Sequence, residues 1–394
     1  MHAAWWRRGR DLCKAPPPEP AMKPKSQRPA PRKQEKDAGR TQPPVVLPAR
    51  KSTIKDVARV AGVSLGTVSR VLNGSLTVGN AVHRKVMQAI EELNFVPSAA
   101  AQSMRRKSSL IVGCIVREIS IAPLAEFVRA SQTALDAAGY SLLLSISDGE
   151  EERERALLKR LQNRQVDGII LSPYTRLSQD YEAMLRGLGI PIVLVDRDKP
   201  DWADAVMVDH AHGVEIAVEH LLNLGHRKIA LLTGPEDTFP AAQRVKGYMA
   251  AYKRNKVAVD PAMVRTGSYL ATAGFQLAST MLSGKNRPTA IIAGGLSMLP
   301  GVLRAVQTLK LSVPEDVSIV GTGPSELSEL HVPPISVQYW DHGETGRVAA
   351  MMLLDRMLKK GNPEPQRVLL PSTFISTRSI GPKPRRSSRA WSAS

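Results

Sequence analysis

Thr53-Ile54-Lys55-Asp56-Val57-Ala58-Arg59-Val60-Ala61-Gly62-Val63-Ser64-Leu65-Gly66-Thr67-Val68-Ser69-Arg70-Val71-Leu72-Asn73 decides how this chain is read. Thr53 and Asp56 stand three residues apart, the spacing of a capping box that opens a helix. Val57, Ala58 and Ala61 give that helix an apolar face, and Gly62 lets the chain turn. Ser64 can cap a second helix, with Val68, Val71 and Leu72 at positions i, i+3 and i+4 facing inward. Asn73-Gly74 ends it. A third helix carries Val82, Val86, Ile90 and Leu93 on one stripe. Pro97 breaks that helix, and Ser98 can cap a short fourth segment reaching Arg106.

Two short helices around a glycine turn are the helix-turn-helix pattern, whose second helix enters the DNA major groove. With its valines turned inward, Leu65, Gly66, Thr67, Ser69 and Arg70 lie on the free face. Arg70 has the forked donors that read guanine, and Leu65 suits a thymine methyl. Ser64, Thr67, Ser69 and the helix N-terminus suit phosphates. The bland alternative is a three-helix cap with a solvated polar face.

Charge separates the chain into blocks. Residues 1–51 hold 13 Lys/Arg and 4 Asp/Glu, and residues 52–107 hold 8 and 3. Residues 108–380 balance at 29 and 29, and residues 381–394 hold 4 and 0. The excess positive charge thus lies outside one large neutral block, which points to a polyanion partner for the N-terminal part. Pro-, Lys- and Arg-rich residues 1–51 and the basic tail 381–394 read as disordered extensions. Cys13 and Cys114 make no disulfide framework, and Cys114 sits in an apolar run as a small buried hydrophobe. No apolar stretch approaches the roughly 20 residues that span a bilayer. The first residues lack the apolar core of a signal peptide, so no membrane association and a cytoplasmic location are expected.

After residue 108 the period changes. Ile111–Val116, Leu142–Ile146, Gly168–Leu171, Ile192–Val195, Ile229–Leu232, Ala290–Ala293 and Ser318–Val320 read as buried parallel strands. Helices over Ala122–Ala138 and Glu151–Gln165 lie between them. So many βα units overfill one sheet and predict two doubly wound α/β lobes, with the cleft between them a natural ligand site.

The run from Thr53 to Ser64, followed by Thr67 to Asn73, resembles the opening of lactose-repressor/galactose-repressor-family regulators. The likeness continues through Glu91–Ser98 and Ala101-Gln102-Ser103-Met104, and then over nearly all of 108–380. Asp167–Leu171, Pro191–Arg197, Leu224–Ala230 and Val313–Gly321 carry it there. The resemblance implies a helix-turn-helix domain over 52–97 and a hinge helix over 98–107 that folds on operator DNA. Ala101 and Met104 would stand at the minor groove, Met104 as the apolar wedge that unstacks a base step. Thr53 and Asn73 would join the DNA contacts. The rest would form a type I periplasmic-binding-protein-like two-lobe domain, with dimerisation and effector binding. Asp196, Arg244, Tyr269 and Trp340 match positions used on the effector, a sugar or sugar acid. No cofactor or metal is implied, and the regulator would be a homodimer without enzyme activity, most simply a repressor.

Departures from the family pattern are specific. Val78-Gly79-Asn80-Ala81-Val82-His83 replaces the usual hydroxyl-bearing start of the third helix. Gly295-Leu296 stands where Asn-Asp is common, Gly321-Thr322-Gly323-Pro324 replaces Gly-aromatic-Asp-Asp, and Ile121-Ala122-Pro123-Leu124 replaces an aromatic-rich loop. With one cleft carboxylate gone and Arg244 kept, an anionic ligand is favoured over a neutral hexose. Other classes fit less well. A transport sugar-binding protein would need a signal peptide and no helix-turn-helix. A dinucleotide-binding dehydrogenase needs G-x-G-x-x-G after a strand, and Gly321-Thr322-Gly323 lacks the third glycine. No nucleophile elbow, His-Glu-x-x-His or phosphate loop occurs. His210 and His212 read as a surface pair in a polar loop.

Overall fold

The structure is a computed structural model, and it describes residues 52–72, 77–96, 108–173, 178–197, 201–360 and 363–384. Asn73, Ala101, Met104, the expected hinge segment and both expected basic extensions up to residue 51 and from 385 lie outside the described residues. The chain forms two units, residues 1–95 and 96–394.

In the first unit α1 spans Ile54–Ala61, α2 Leu65–Leu72 and α3 Asn80–Glu92. Asp56 Oδ2 accepts from the Thr53 N–H at 3.0 Å and its hydroxyl at 2.7 Å. These bonds serve the exposed donors at the start of α1 and hold the Asp56 carboxyl below its ordinary pKa. Gly62 turns the chain at φ 64°, a conformation that costs a residue with a Cβ. The Thr67 N–H then donates to Ser64 Oγ at 3.2 Å, capping α2. Val57, Val68, Val71, Val86, Ala89 and Phe95 form the small core between the three helices.

The second unit has two six-stranded sheets. Lobe 1 begins with β1 (Ile111–Val116), α4 (Ala122–Ala137), β2 (Ser141–Ile146), α5 (Glu151–Asn163) and β3 (Gly168–Leu171). It continues through α6 (Gln179–Gly187), β4 (Ile192–Val195) and β5 (Asp204–Val208). Lobe 2 opens with α7 (His210–Asn223), β6 (Ile229–Thr233), α8 (Phe239–Arg254), β7 (Val264–Thr266) and α9 (Ala271–Ser283). β8 (Ala290–Gly294), α10 (Leu299–Thr308), β9 (Ser318–Thr322), α11 (Glu326–Leu330) and β10 (Ser336–Tyr339) complete its βα run. The chain returns to lobe 1 with α12 (His342–Met357) and β11 (Arg367–Leu370), and ends in lobe 2 with β12 (Thr373–Ile375).

The strand orders are β11-β5-β4-β3-β1-β2 and β12-β10-β9-β8-β6-β7. Lobe 1 is all parallel, whereas β12 runs antiparallel to β10. Buried apolar strands with helices on both faces give the doubly wound architecture that the alternating pattern predicts. The chain therefore crosses between lobes three times, after β5, β10 and β11. The crossovers are tied to each other. The Asp209 N–H donates to the Leu370 carbonyl at 2.9 Å, and Ser372 Oγ donates to the Asp209 carbonyl at 2.6 Å. Contacts of lobe 2 also run past residue 380. The Gly381 N–H donates to Ser318 Oγ, and the Lys383 N–H donates to the Leu224 carbonyl at 3.0 Å.

Candidate DNA-reading helix and interlobe cleft

On α2 the inward side chains are Val68 and Val71, both buried. Ser64, Leu65, Gly66 and Arg70 are exposed, and Thr67 and Ser69 are half-buried. Leu65 leaves 45% of its surface in water, an apolar group on a polar face. Ser64 and Thr67 hydroxyls lie 2.9 Å apart, so both are fixed at the first turn. Thr53 is exposed at the start of α1. The helix thus offers a row of small residues, one leucine and one guanidinium, backed by a rigid apolar core.

In the second unit Asp196 follows β4 of lobe 1 with φ 53°. Its carboxylate oxygens lie 2.8 and 2.9 Å from His210 Nε2. His210 opens α7 at the first crossover and is completely buried, which corrects its expected place in a surface loop. Only His212 of that pair is exposed. Asp209 at the N-cap, accepting from the His212 N–H, starts the helix here and turns His210 inward.

Burial pushes the His210 imidazole below its ordinary pKa, with Arg244 and Arg197 adding to the effect against the pull of Asp196. Burial pushes the Asp196 carboxyl up, but His210, Arg197 and Arg244 together outweigh it and leave the group below its ordinary value. The pair is an ionised carboxylate and a neutral ring. A carboxylate only accepts, so Nε2 carries the proton and Nδ1 presents a lone pair. That lone pair faces Arg244 Nη2 of α8 at 3.3 Å. Asp196, His210 and Arg244 thus link lobe 1, the crossover and lobe 2. Trp340, at the second crossover, meets the His210 ring edge-on at 4.9 Å and the His342 ring at 4.5 Å. Arg244 Cζ lies 6.0 Å from the centre of the Tyr269 ring, whose hydroxyl is 3.2 Å from Thr238 Oγ1. Tyr269 and Trp340 are both buried, as walls rather than open platforms.

The two glycine substitutions are built into this packing. A Cβ on residue 295 would lie 2.6 Å from the Tyr269 ring, and one on residue 323 would collide with Leu296. The space that polar side chains would need is filled by apolar groups. At the same end of the cleft, Arg117 Nη2 after β1 donates to Ser297 Oγ at 2.9 Å. Ser297 Oγ in turn donates to Glu118 at 2.7 Å, and Arg117 and Glu118 pair with each other. This joins lobe 1 to lobe 2 directly. Ser297→Ala is expected to lower the unfolding free energy of this unit by about 1–2 kcal/mol, read from urea denaturation. An unchanged midpoint would show that the contact contributes nothing.

Residues 53–98 match the family of bacterial regulatory proteins, lacI family, and residues 218–380 match the periplasmic binding protein-like domain. The ribose operon repressor of Escherichia coli (strain K12) is 34% identical over 307 residues, covering 78% of this chain and 93% of that protein. This chain belongs to the lacI family of bacterial regulators. The HTH-type transcriptional repressor PurR of Proteus mirabilis (strain HI4320) is 31% identical, covering 84% of this chain and 98% of that protein. A lac repressor dimer bound to operator and an anti-inducer superposes with a TM-score of 0.74 at 29% identity, covering 84% and 100%. A ribose-bound lacI-family regulator from Enterococcus faecium gives 0.60 at 26%, covering 69% and 99%. The lacI-family chain is thus a DNA-binding transcriptional regulator with a two-lobe α/β effector-type unit. Among the described residues no helix is long and apolar enough to cross a membrane, and no cluster of acidic, His or Cys side chains is placed to hold a metal ion.

Proposed function

We propose that this regulator is a cytoplasmic repressor that binds operator DNA as a homodimer under the control of a small sugar or sugar acid held between its lobes. The exposed row on α2 carries the proposal. Arg70 reads a guanine edge and Leu65 touches a thymine methyl. Thr53, Ser64, Gly66, Thr67, Ser69 and Asn73 hold the backbone, and Ala101 and Met104 reach the minor groove. The lac repressor relative is an operator-bound dimer, and the Enterococcus relative holds ribose, which supports both halves of the reading. In the cleft Asp196 and Arg244 hold the effector between walls formed by Tyr269 and Trp340. The ligand acts as a signal there, not as a substrate.

Arg70→Ala is expected to cost about 1–3 kcal/mol on an operator obtained by selection from random DNA. The loss should concentrate at one base pair in each half-site, read by fluorescence anisotropy on single-base variants. Equal losses on operator and random DNA would make Arg70 a phosphate contact only.

A further inference from the structure

Arg244 is 3% exposed, and its Nε and Nη1 have no hydrogen-bond partner. Three buried N–H directions of a permanent cation are thus unmet, a costly arrangement unless an acceptor-rich group faces them. Its Nη2 meets only the neutral His210 ring. Asp196 and Arg244 attract each other through space but form no hydrogen-bonded ion pair, because the imidazole stands between them. A carboxylate has about four acceptor sites. One N–H from His210 leaves most of those of Asp196 open to hydroxyl donors. Gln338 Oε1 and His342 Nε2 are buried without partners in the same cluster.

Resting on the reading that an effector sits between the lobes, we infer that this effector is a small hydroxylated carboxylate. Its carboxylate binds Arg244, and its hydroxyls donate to Asp196. His210 is the positioning residue that holds those two groups apart and in register. A planar carboxylate matches the forked donors of one guanidinium. A phosphate dianion would bring one more negative charge than a carboxylate close to Asp196, whose carboxylate Arg197 and Arg244 already serve. A neutral sugar can accept from the guanidinium N–H groups but brings no counter-charge to this buried cation. Gly295 and Gly323 narrow the choice further. Where hydroxyl-binding side chains would stand, the wall consists of Tyr269, Met298 and Leu296. The ligand therefore carries its hydroxyls towards Asp196 and few towards lobe 2.

The test is calorimetric titration of the full chain with aldonates of three to six carbons, the matching aldoses, and the matching aldose phosphates. At least one aldonate should bind, about a hundredfold tighter than its aldose and its phosphate ester. Arg244→Gln should remove that preference. His210→Phe should reduce the aldonate-to-aldose ratio at least tenfold, and His210→Asn, which keeps a donor and an acceptor, should restore part of it. An aldose or a phosphate that binds tighter than every aldonate overturns the proposal but leaves effector control standing. Silence of the whole panel, with operator binding intact, overturns both. An unchanged ratio in Arg244→Gln or His210→Phe removes the roles given to those side chains.

Discussion

Leu330→Asp is expected to leave the chain folded but monomeric, with operator affinity lower by about two to four orders of magnitude. Leu330 ends α11 with 78% of its surface exposed, and Val332 follows at 88%. Val332, together with Leu327 and His331, lines a groove of about 820 Å³ on lobe 2 that also includes Pro300, Leu303 and Val313, and Leu330 adjoins it in sequence. An exposed apolar cluster beside a groove marks an interaction surface. A second copy is the occupant that the DNA-reading unit requires, because one recognition helix reads only a few base pairs and a twofold dimer doubles the site. A carboxylate at 330 in an interface formed by this surface would be desolvated, with no gain in hydrophobic burial to offset the cost. The substitution touches no core packing, so the monomer should unfold as the wild type does. Sedimentation velocity reads the association state, and anisotropy reads operator binding. A dimer that survives the change would place the interface elsewhere. A monomer with full operator affinity would remove the need for a dimer.

How far the sequence carries the fold depends on how each element is stabilised. The helix-turn-helix was legible because its signals are local: a cap at Thr53, a turn at Gly62, a cap at Ser64 and valines at helical spacing. The seven apolar runs became strands with at most two residues of difference at an end. Five strands escaped notice for identifiable reasons. β5 opens on Asp204, a buried carboxylate that looks like a turn residue until Arg356 of α12 meets it at 2.7 and 2.9 Å. That partner is 152 residues away, and no local pattern shows it. β7 and β12 are short edge strands, and β11 alternates half-buried and exposed residues at the edge of its sheet. β10 carries Gln338 among its buried residues. In the cleft, Asp196 and Arg244 were singled out through resemblance, and the structure brings them to one imidazole. His210 was missed because the polar run Asp209-His210-Ala211-His212 looks like a loop. The usable signal was Asp209 as an N-cap before the apolar series Val214, Ala217, Val218 and Leu221.

Acid should destabilise the two-lobe unit through His342. This residue opens α12 beside Trp340, is 6% exposed, and its Nε2 lacks a partner. Burial pushes its imidazole from 6.5 down to about 4, against the opposing pull of Asp196 and Asp341. Between those values the unfolded chain binds a proton that the folded chain refuses, so stability falls as pH falls. At one pKa unit per roughly 1.4 kcal/mol, the window is worth about 3 kcal/mol when fully crossed. His210 is shifted in the same direction and adds to the slope. Asp196, with its carboxyl below the ordinary value, loses its contribution only at lower pH, below the window of His342. His342→Asn keeps a polar side chain at the start of α12 and removes the titration. Its urea midpoint should fall less than that of the wild type between about pH 7 and pH 4.5, by an amount equivalent to about 2–3 kcal/mol. Parallel curves for the two proteins would show that water reaches the ring and that His342 titrates as an exposed histidine does.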